Sequence, residues 1–199
     1  MLFRFRSPAW DSVDYWSIDL ETGGFAAKCD AILAVGMVPV RRGIIRLREA
    51  YRTLVRPEDG RSIDPESVKA HQLVWGEVQE APPLPEVLAE VDRRLREGVM
   101  LVHFQGIEVP FLKRACKRLG VAWASPAVVD TFHLLRQAAA SRQPDLAHGR
   151  LELNLSRARR EYGLPDYEAH DPLTDAVATA ELFLVLRRVL GARTLRDLT

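Results

Sequence analysis

The stretch that most constrains this chain is Tyr15–Gly24, YWSIDLETGG, a strand-like run that closes on two glycines. Side chains alternate along a strand, so Asp19 and Glu21 share one face while Ile18 and Leu20 share the other. A fold that buries Ile18 and Leu20 must therefore bring two carboxylates close to its core. Like charges side by side make each other harder to ionise, and burial makes them harder still. A divalent cation is the simplest way to offset that cost, because hard cations such as Mg²⁺ take carboxylate oxygens and substrate phosphates as ligands. An edge strand with one wet face is the alternative, and the rest of the chain has to decide between them.

The segments that follow define the fold class. Ala31–Val38 is a near-continuous apolar run, as in a strand buried on both faces. Arg41-Arg42-Gly43 is a turn, and Ile44–Val55 reads as a third strand, which makes an antiparallel meander. Asp64-Pro65-Glu66 opens a helix, with Asp64 as N-cap and Pro65 at the first helical position. Val87, Leu88, Val91 and Leu95 recur at helical spacing as far as Gly98. Val99–His103 is a short strand, 107–119 a helix ending at Gly120, and Ala127–Asp130 another strand. Helices are expected over Thr131–Ala140, Leu151–Tyr162 and, from the Asp171-Pro172 cap, to Leu190, with a loop at Ser141–Arg150. A meander followed by alternating α and β elements predicts an α/β chain with a mixed sheet packed between helices. At 199 residues it suits one domain, with its core at about 14–190.

Composition narrows the setting. Hydrophobic residues make up 47% and charged residues 28%, enough for a real core. The net charge of +1 does not announce a nucleic-acid partner, so local clusters would have to supply one. Cys29 and Cys116 have neither disulfide nor zinc spacing, which fits a reduced, cytoplasmic setting. The arginines of MLFRFRSPAW argue against a secretion signal. No apolar stretch approaches the length of a membrane span, so no membrane partner is expected.

Two further acids complete the picture. Asp171 caps the last helix, so His170 lies just outside it and Asp175 in or just after its first turn. Ala176, Ala178 and Ala180 make that helix thin enough to approach a sheet closely. Taken alone, the pair also fits a surface histidine and an acid that favours the helix dipole. With DLETGG (Asp19–Gly24), however, the chain resembles the DnaQ-like, or DEDDh, 3′–5′ exonucleases. Asp19–Gly24 is similar to their first motif. His170-Asp171-Pro172-Leu173-Thr174-Asp175 is similar to the third, in which a histidine precedes an aspartate by five positions. Leu101–Leu112 falls where the second motif belongs, and Val55–Glu58, His71, Val129-Asp130-Thr131 and Tyr162-Gly163-Leu164 match in position.

The resemblance implies an RNase H-like fold, a five-stranded mixed sheet whose second strand is antiparallel to the rest. It implies two divalent cations, Mg²⁺ or Mn²⁺, held by Asp19, Glu21, Glu108 and Asp175, with His170 acting on the attacking water. A histidine of ordinary pKa suits that task. The second motif departs from the family pattern, which has asparagine directly after its histidine, then phenylalanine and aspartate. Phe104, Ile107 and Glu108 stand in those places. Glu108 keeps the acid but is one methylene longer, which matters to an ion as geometrically strict as Mg²⁺.

The implied reaction releases 5′-mononucleotides from DNA 3′ ends, in proofreading or repair. An RNA or oligoribonucleotide exonuclease and a weakened nucleic-acid-binding module are the rival functions. Leu20, Thr22 and Gly23 are expected to line the terminal sugar and base. Phe104 is a stacking candidate, though a core phenylalanine is the plainer reading. Lys113, Arg114, Lys117 and Arg118 form an acid-free basic stripe, and Arg157, Arg159 and Arg160 a second cluster. Either tracks phosphates or is an ordinary solvated face. His71, His103, His133 and His148 read as structural or exposed. Gln143-Pro144-Asp145-Leu146 faintly resembles a sliding-clamp peptide but lacks the following aromatic, so association with a polymerase or clamp stays open.

Overall fold

The computed structural model describes residues 7–70, 73, 75–142 and 154–199. Its sheet is built on β1 (Tyr15–Thr22), which lies at the centre. β2 (Ile32–Arg41) pairs antiparallel with β1 and places Gly36 opposite Asp19. On the other side β1 runs parallel to β5 (Val99–Val102), and β5 parallel to β6 (Val128–Asp130). The outer edge beyond β2 holds two short strands, β3 (Ile44–Ile45) and β4 (Tyr51–Leu54), both antiparallel to it. Among the described residues the sheet is thus mixed and six-stranded, one strand more than the five expected because the third row is split in two, with the second strand reversed as the resemblance implies.

The third row departs from the unbroken strand expected over Ile44–Val55. A 3₁₀ turn at Leu47–Glu49 separates β3 from β4. Pro39 on β2 gives the reason. Its carbonyl accepts from the Arg46 amide, so the N–H that proline lacks would have faced the same row. The outer strand loses a ladder bond there and leaves the sheet until β4 rejoins at Tyr51 opposite Met37.

Helices cover both faces. α1 (Pro65–Ala70) begins at Asp64, whose Oδ1 accepts the Glu66 amide at 3.0 Å. α2 (Trp75–Glu80) is a short helix that the sequence reading did not separate. α3 (Leu84–Leu95) and α4 (Glu108–Arg118) pack with Ile18 and Leu20 in one core. α5 (Thr131–Arg142), α6 (Leu155–Glu161) and α7 (Pro172–Val189) cover the opposite face around Tyr15, Val38, Leu101 and Phe183. α6 starts at the Asn154 cap, whose side chain accepts from the Arg157 amide. The expected start at Leu151, the Gln143–Leu146 segment, His71 and His148 lie outside the described residues.

The contact that places α7 is close. A Cβ at Gly36 would lie 2.1 Å from the Pro172 carbonyl carbon and 2.3 Å from the Leu173 nitrogen. Only a bare backbone at position 36 lets the first turn of α7 rest on β2. Ser17 Oγ, on the neighbouring strand, donates to the Ala176 carbonyl at 2.7 Å in a buried bond. Ala176 and Ala180 face this core. Ala178 is buried but is not part of this core cluster, and its carbonyl accepts from Arg159 of α6. Gly36→Ala is predicted to lower unfolding free energy by about 1–3 kcal/mol, the usual cost of forcing extra volume into a packed site. Urea denaturation checks it, and a variant as stable as the parent overturns the account of this seat.

Candidate active site

Asp19 and Glu21 lie at the carboxyl end of β1, where parallel strands commonly present ligand sites. The β1–β2 register shifts between Glu21 and Thr22, an irregularity of the kind that re-aims side chains beside active sites. Asp175 arrives on the first turn of α7. Oxygens of Asp19, Glu21 and Asp175 lie within 4.8 Å of one another. Glu108, the first residue of α4, stands outside that trio but lines the same cleft of about 460 Å³, as does His170.

Hydrogen bonds hold the parts in place. Asp175 Oδ2 accepts from the His170 amide at 2.8 Å, and Oδ1 from the Tyr167 hydroxyl at 2.6 Å. His170 has a left-handed backbone, φ 74°, and is an exposed residue lining the cleft. Asp171 caps α7 through the Thr174 amide and pairs with Arg52 of β4 at 2.6 Å. Burial alone would raise the Asp171 pKa, but these partners hold it below the ordinary value. Asp130, at the end of β6, accepts from the Phe104 and Gln105 amides at 2.9 and 3.0 Å and so anchors the loop leading to Glu108.

The electrostatics are those of crowded acids. Burial, then Glu108, Glu21 and Asp175, push the Asp19 carboxyl well above the usual range. Burial pushes Glu108 up to about 8, with Asp130 adding to the rise and the residue's own amide opposing it. Asp175 is also raised, by burial first, against the lowering from Tyr167 and the His170 amide. Glu108 is only 4% exposed, and its Oε2 has no hydrogen-bond partner among the described residues. A buried, unpartnered carboxylate oxygen facing other acids fits a cation site. The donor set is all oxygen, which suits Mg²⁺ or Mn²⁺ over softer metals.

The expected substrate contacts divide. Leu20 and Thr22 line the cleft. Gly23 does not: it is buried against the next loop, where a Cβ would meet the Ser62 carbonyl at 2.7 Å. Gly24 and Phe25 line the wall instead, and Phe25 is 90% exposed. The sequence reading passed over Phe25, although an aromatic directly after the glycine pair was the available signal. Phe104 corrects the core reading. It is 41% exposed, has φ 74°, meets Phe132 edge-on, and does not line the acid cleft. The arginine cluster on α6 is corrected too. Arg159 is 2% exposed, paired with Glu181 at 2.7 Å and lying 4.9 Å from the Tyr167 ring centre, so it supports the wall rather than meeting solvent. Arg160 pairs with Asp166. His103 bonds Thr131 at 2.8 Å and His133 meets Gln137, in keeping with structural or exposed roles.

Comparison with known proteins agrees with this geometry. A family model described as exonuclease, of the RNase T type, matches residues 17–183. The chain belongs to the DnaQ-like 3′–5′ exonuclease family. It is 27% identical to the DNA polymerase III subunit epsilon of Treponema pallidum, with 94% of this chain matched to 82% of that protein. It is 26% identical to ribonuclease T of Haemophilus ducreyi, with 85% and 82% covered. A Mycobacterium tuberculosis protein named as a bifunctional exonuclease/endonuclease is 28% identical, and this chain covers 96% of itself but only 30% of that relative. In fold it is similar to E. coli exonuclease I in complex with a dT13 oligonucleotide, at a TM-score of 0.74 and 14% identity, covering 90% of this chain and 42% of that one. Among the described residues no helix is long and apolar enough to cross a membrane.

The raised carboxyls set a pH dependence. In the metal-free protein the folded state keeps protons on these groups to higher pH than the unfolded chain does. Between the ordinary carboxylate range and about pH 8 the folded state therefore binds more protons, and stability falls as pH rises. Tm of the metal-free protein is predicted to drop across that window, by about 2–4 °C per kcal/mol lost. Glu108→Gln, which cannot ionise, flattens the drop. Thermal scans in a chelator check this, and a parent Tm that holds or rises with pH overturns it.

Proposed function

We propose that this chain is a metal-dependent 3′–5′ exonuclease that releases 5′-mononucleotides from DNA 3′ ends, using two divalent cations. The observation that carries the reading is the convergence of Asp19, Glu21 and Asp175 within 4.8 Å, with a buried and unpartnered Glu108 oxygen in the same cleft. Asp19, Glu21, Glu108 and Asp175 would hold the cations, which supply charge neutralisation at the phosphate and an acidified water. The chain's own residues do the rest. His170, exposed on the rim beside Asp175, orients the attacking water and takes its proton. Tyr167 and the His170 amide fix the Asp175 carboxylate against rotation. Leu20 and Thr22 bound the terminal sugar and base, and Phe25 offers an exposed ring for a base to stack on. A cytoplasmic setting, where Cys29 and Cys116 stay reduced, goes with this reading.

One observation favours RNA as a second substrate: the ribonuclease T relative matches over most of both chains, as the polymerase subunit does. The chemistry at the phosphate is common to both nucleic acids, and a protein separates them through the 2′-OH. Labelled DNA and RNA strands digested side by side decide between them, DNA being cut faster on the leading reading. Association with a polymerase is a further proposal, supported by the epsilon-subunit relative.

Asp19→Asn and Asp175→Asn are predicted to bring metal-dependent cleavage to background and to remove Mn²⁺ binding in calorimetry. Full cleavage by a folded Asp19→Asn protein overturns the proposal. Glu108→Asp is predicted to keep or raise activity with Mg²⁺. If that variant is folded but inactive, Glu108 is not a ligand of the kind described.

A further inference from the structure

A second cleft, of about 320 Å³, lies beside the acid cleft and shares its two walls. The 23–30 loop gives Gly24 and Phe25 to the first cleft and Ala27 and Lys28 to the second. α4 gives Glu108 to the first and Arg114, Lys117 and Arg118 to the second, and Arg61 completes the lining. We propose that this basic cleft holds backbone phosphates of a single-stranded nucleic acid, a few nucleotides upstream of the 3′ end at the acids. The inference rests on the nuclease reading for the identity of that strand, but its test does not require cleavage.

The charge is local and unbalanced. Among the described residues, five cations and no carboxylate line the cleft, in a chain whose net charge is only +1. Two of the five have structural tasks. Arg61 donates to the carbonyls of Lys28 at 2.7 Å, Ala27 at 3.1 Å and Asp30 at 2.6 Å, which shapes the loop. Arg118 is bound to Glu58. Lys28, Arg114 and Lys117 are exposed, and among the described residues no carboxylate pairs with them. Basic residues in the last turn of a helix are favoured by its dipole, which would account for Lys117 alone. That does not account for Lys28, which sits on a separate loop held in place by an arginine.

Geometry connects the two clefts. Arg114 and Lys117 follow Glu108 by six and nine residues, so they stand roughly 9 and 14 Å further along the α4 axis. On this proposal a strand ending at the acids passes Phe25 and follows α4 toward these cations. Stacking on an exposed aromatic together with a cationic groove is the usual way to hold a single strand without reading its sequence. Contacts to phosphate carry position rather than sequence, so the cleft would track any base composition.

The test is equilibrium binding of labelled dT12 and dT2 in EDTA, where no strand is cut, read by fluorescence anisotropy across a salt series. Each phosphate contact on a single strand contributes about −0.7 to the slope of log K against log salt. The triple variant Lys28→Glu/Arg114→Glu/Lys117→Glu is expected to weaken dT12 at low salt by at least about tenfold and to flatten the slope by roughly 2. Binding of dT2, too short to reach from the acids to the cleft, is expected to change little. The charge-matched variant Arg46→Glu/Arg48→Glu/Arg188→Glu corrects for the change in net charge. A dT12 slope equal to that of the parent, a loss equal for dT2 and dT12, or an equal loss in the charge-matched variant overturns the proposal. Cleavage assays on the parent test the nuclease reading separately, so failure of one does not stand for failure of the other.

Discussion

The site depends on one seat, the first turn of α7 resting on β2 at Gly36. Asp19 and Glu21 belong to the central strand and cannot move without unzipping it. Asp175 belongs to a helix on one face of the sheet, and its distance from them is set by how low that helix sits. The missing side chain at Gly36 and the Ser17–Ala176 hydrogen bond bring the helix backbone onto the strands. Asp171, bound both to the Thr174 amide and to Arg52, fixes the helix start against β4. Capping, packing and strand pairing thus all act on the same few ångströms.

Bringing three carboxylates that close is costly. At about 5 Å and an effective dielectric near 20, each pair repels by on the order of 3 kcal/mol. Three such pairs rival the whole stability of an ordinary domain. The metal-free fold answers by raising the pKa of Asp19, Glu108 and Asp175, so that each keeps its proton to higher pH than an ordinary carboxyl, and by hydrogen-bonding both oxygens of Asp175, which favours its charged form. Cations would replace those protons. The same arrangement therefore explains why the site fits metal.

Much of this was legible in the sequence. The alternation at Ile18-Asp19-Leu20-Glu21, the caps at Asp64 and Asp171 and the spacing of His170 to Asp175 are local signals, and the fold honours each. What escaped was non-local. Pro39 interrupts a strand other than its own. Gly36 sits inside an apolar run and gains meaning only from a helix 136 residues further along the chain. Tyr167 holds Asp175 from a segment with no pattern of its own, and Arg159, legible only as part of a basic cluster, is turned inward by Glu181 and the Ala178 carbonyl. Phe104 was misread because its burial is decided by Asp130, which turns the loop outward by taking both the Phe104 and Gln105 amides.

That division follows the division of labour in the molecule. The acids stand on strands and helix starts, elements whose geometry is fixed by period and capping, and a phosphodiester presents the same phosphate whatever the sugar. What would separate one substrate from another is the wall: Thr22 at the end of β1, Phe25 on a loop, Ser67 and Ile107 at helix starts, and the cations along α4. Loops tolerate change because little packs on them, so their side chains are free to differ between proteins that share the acids. A polymerase subunit and a ribonuclease can then be about equally similar to this chain without contradiction. On the proposed function, the acids would do the cutting and the wall would choose what is cut.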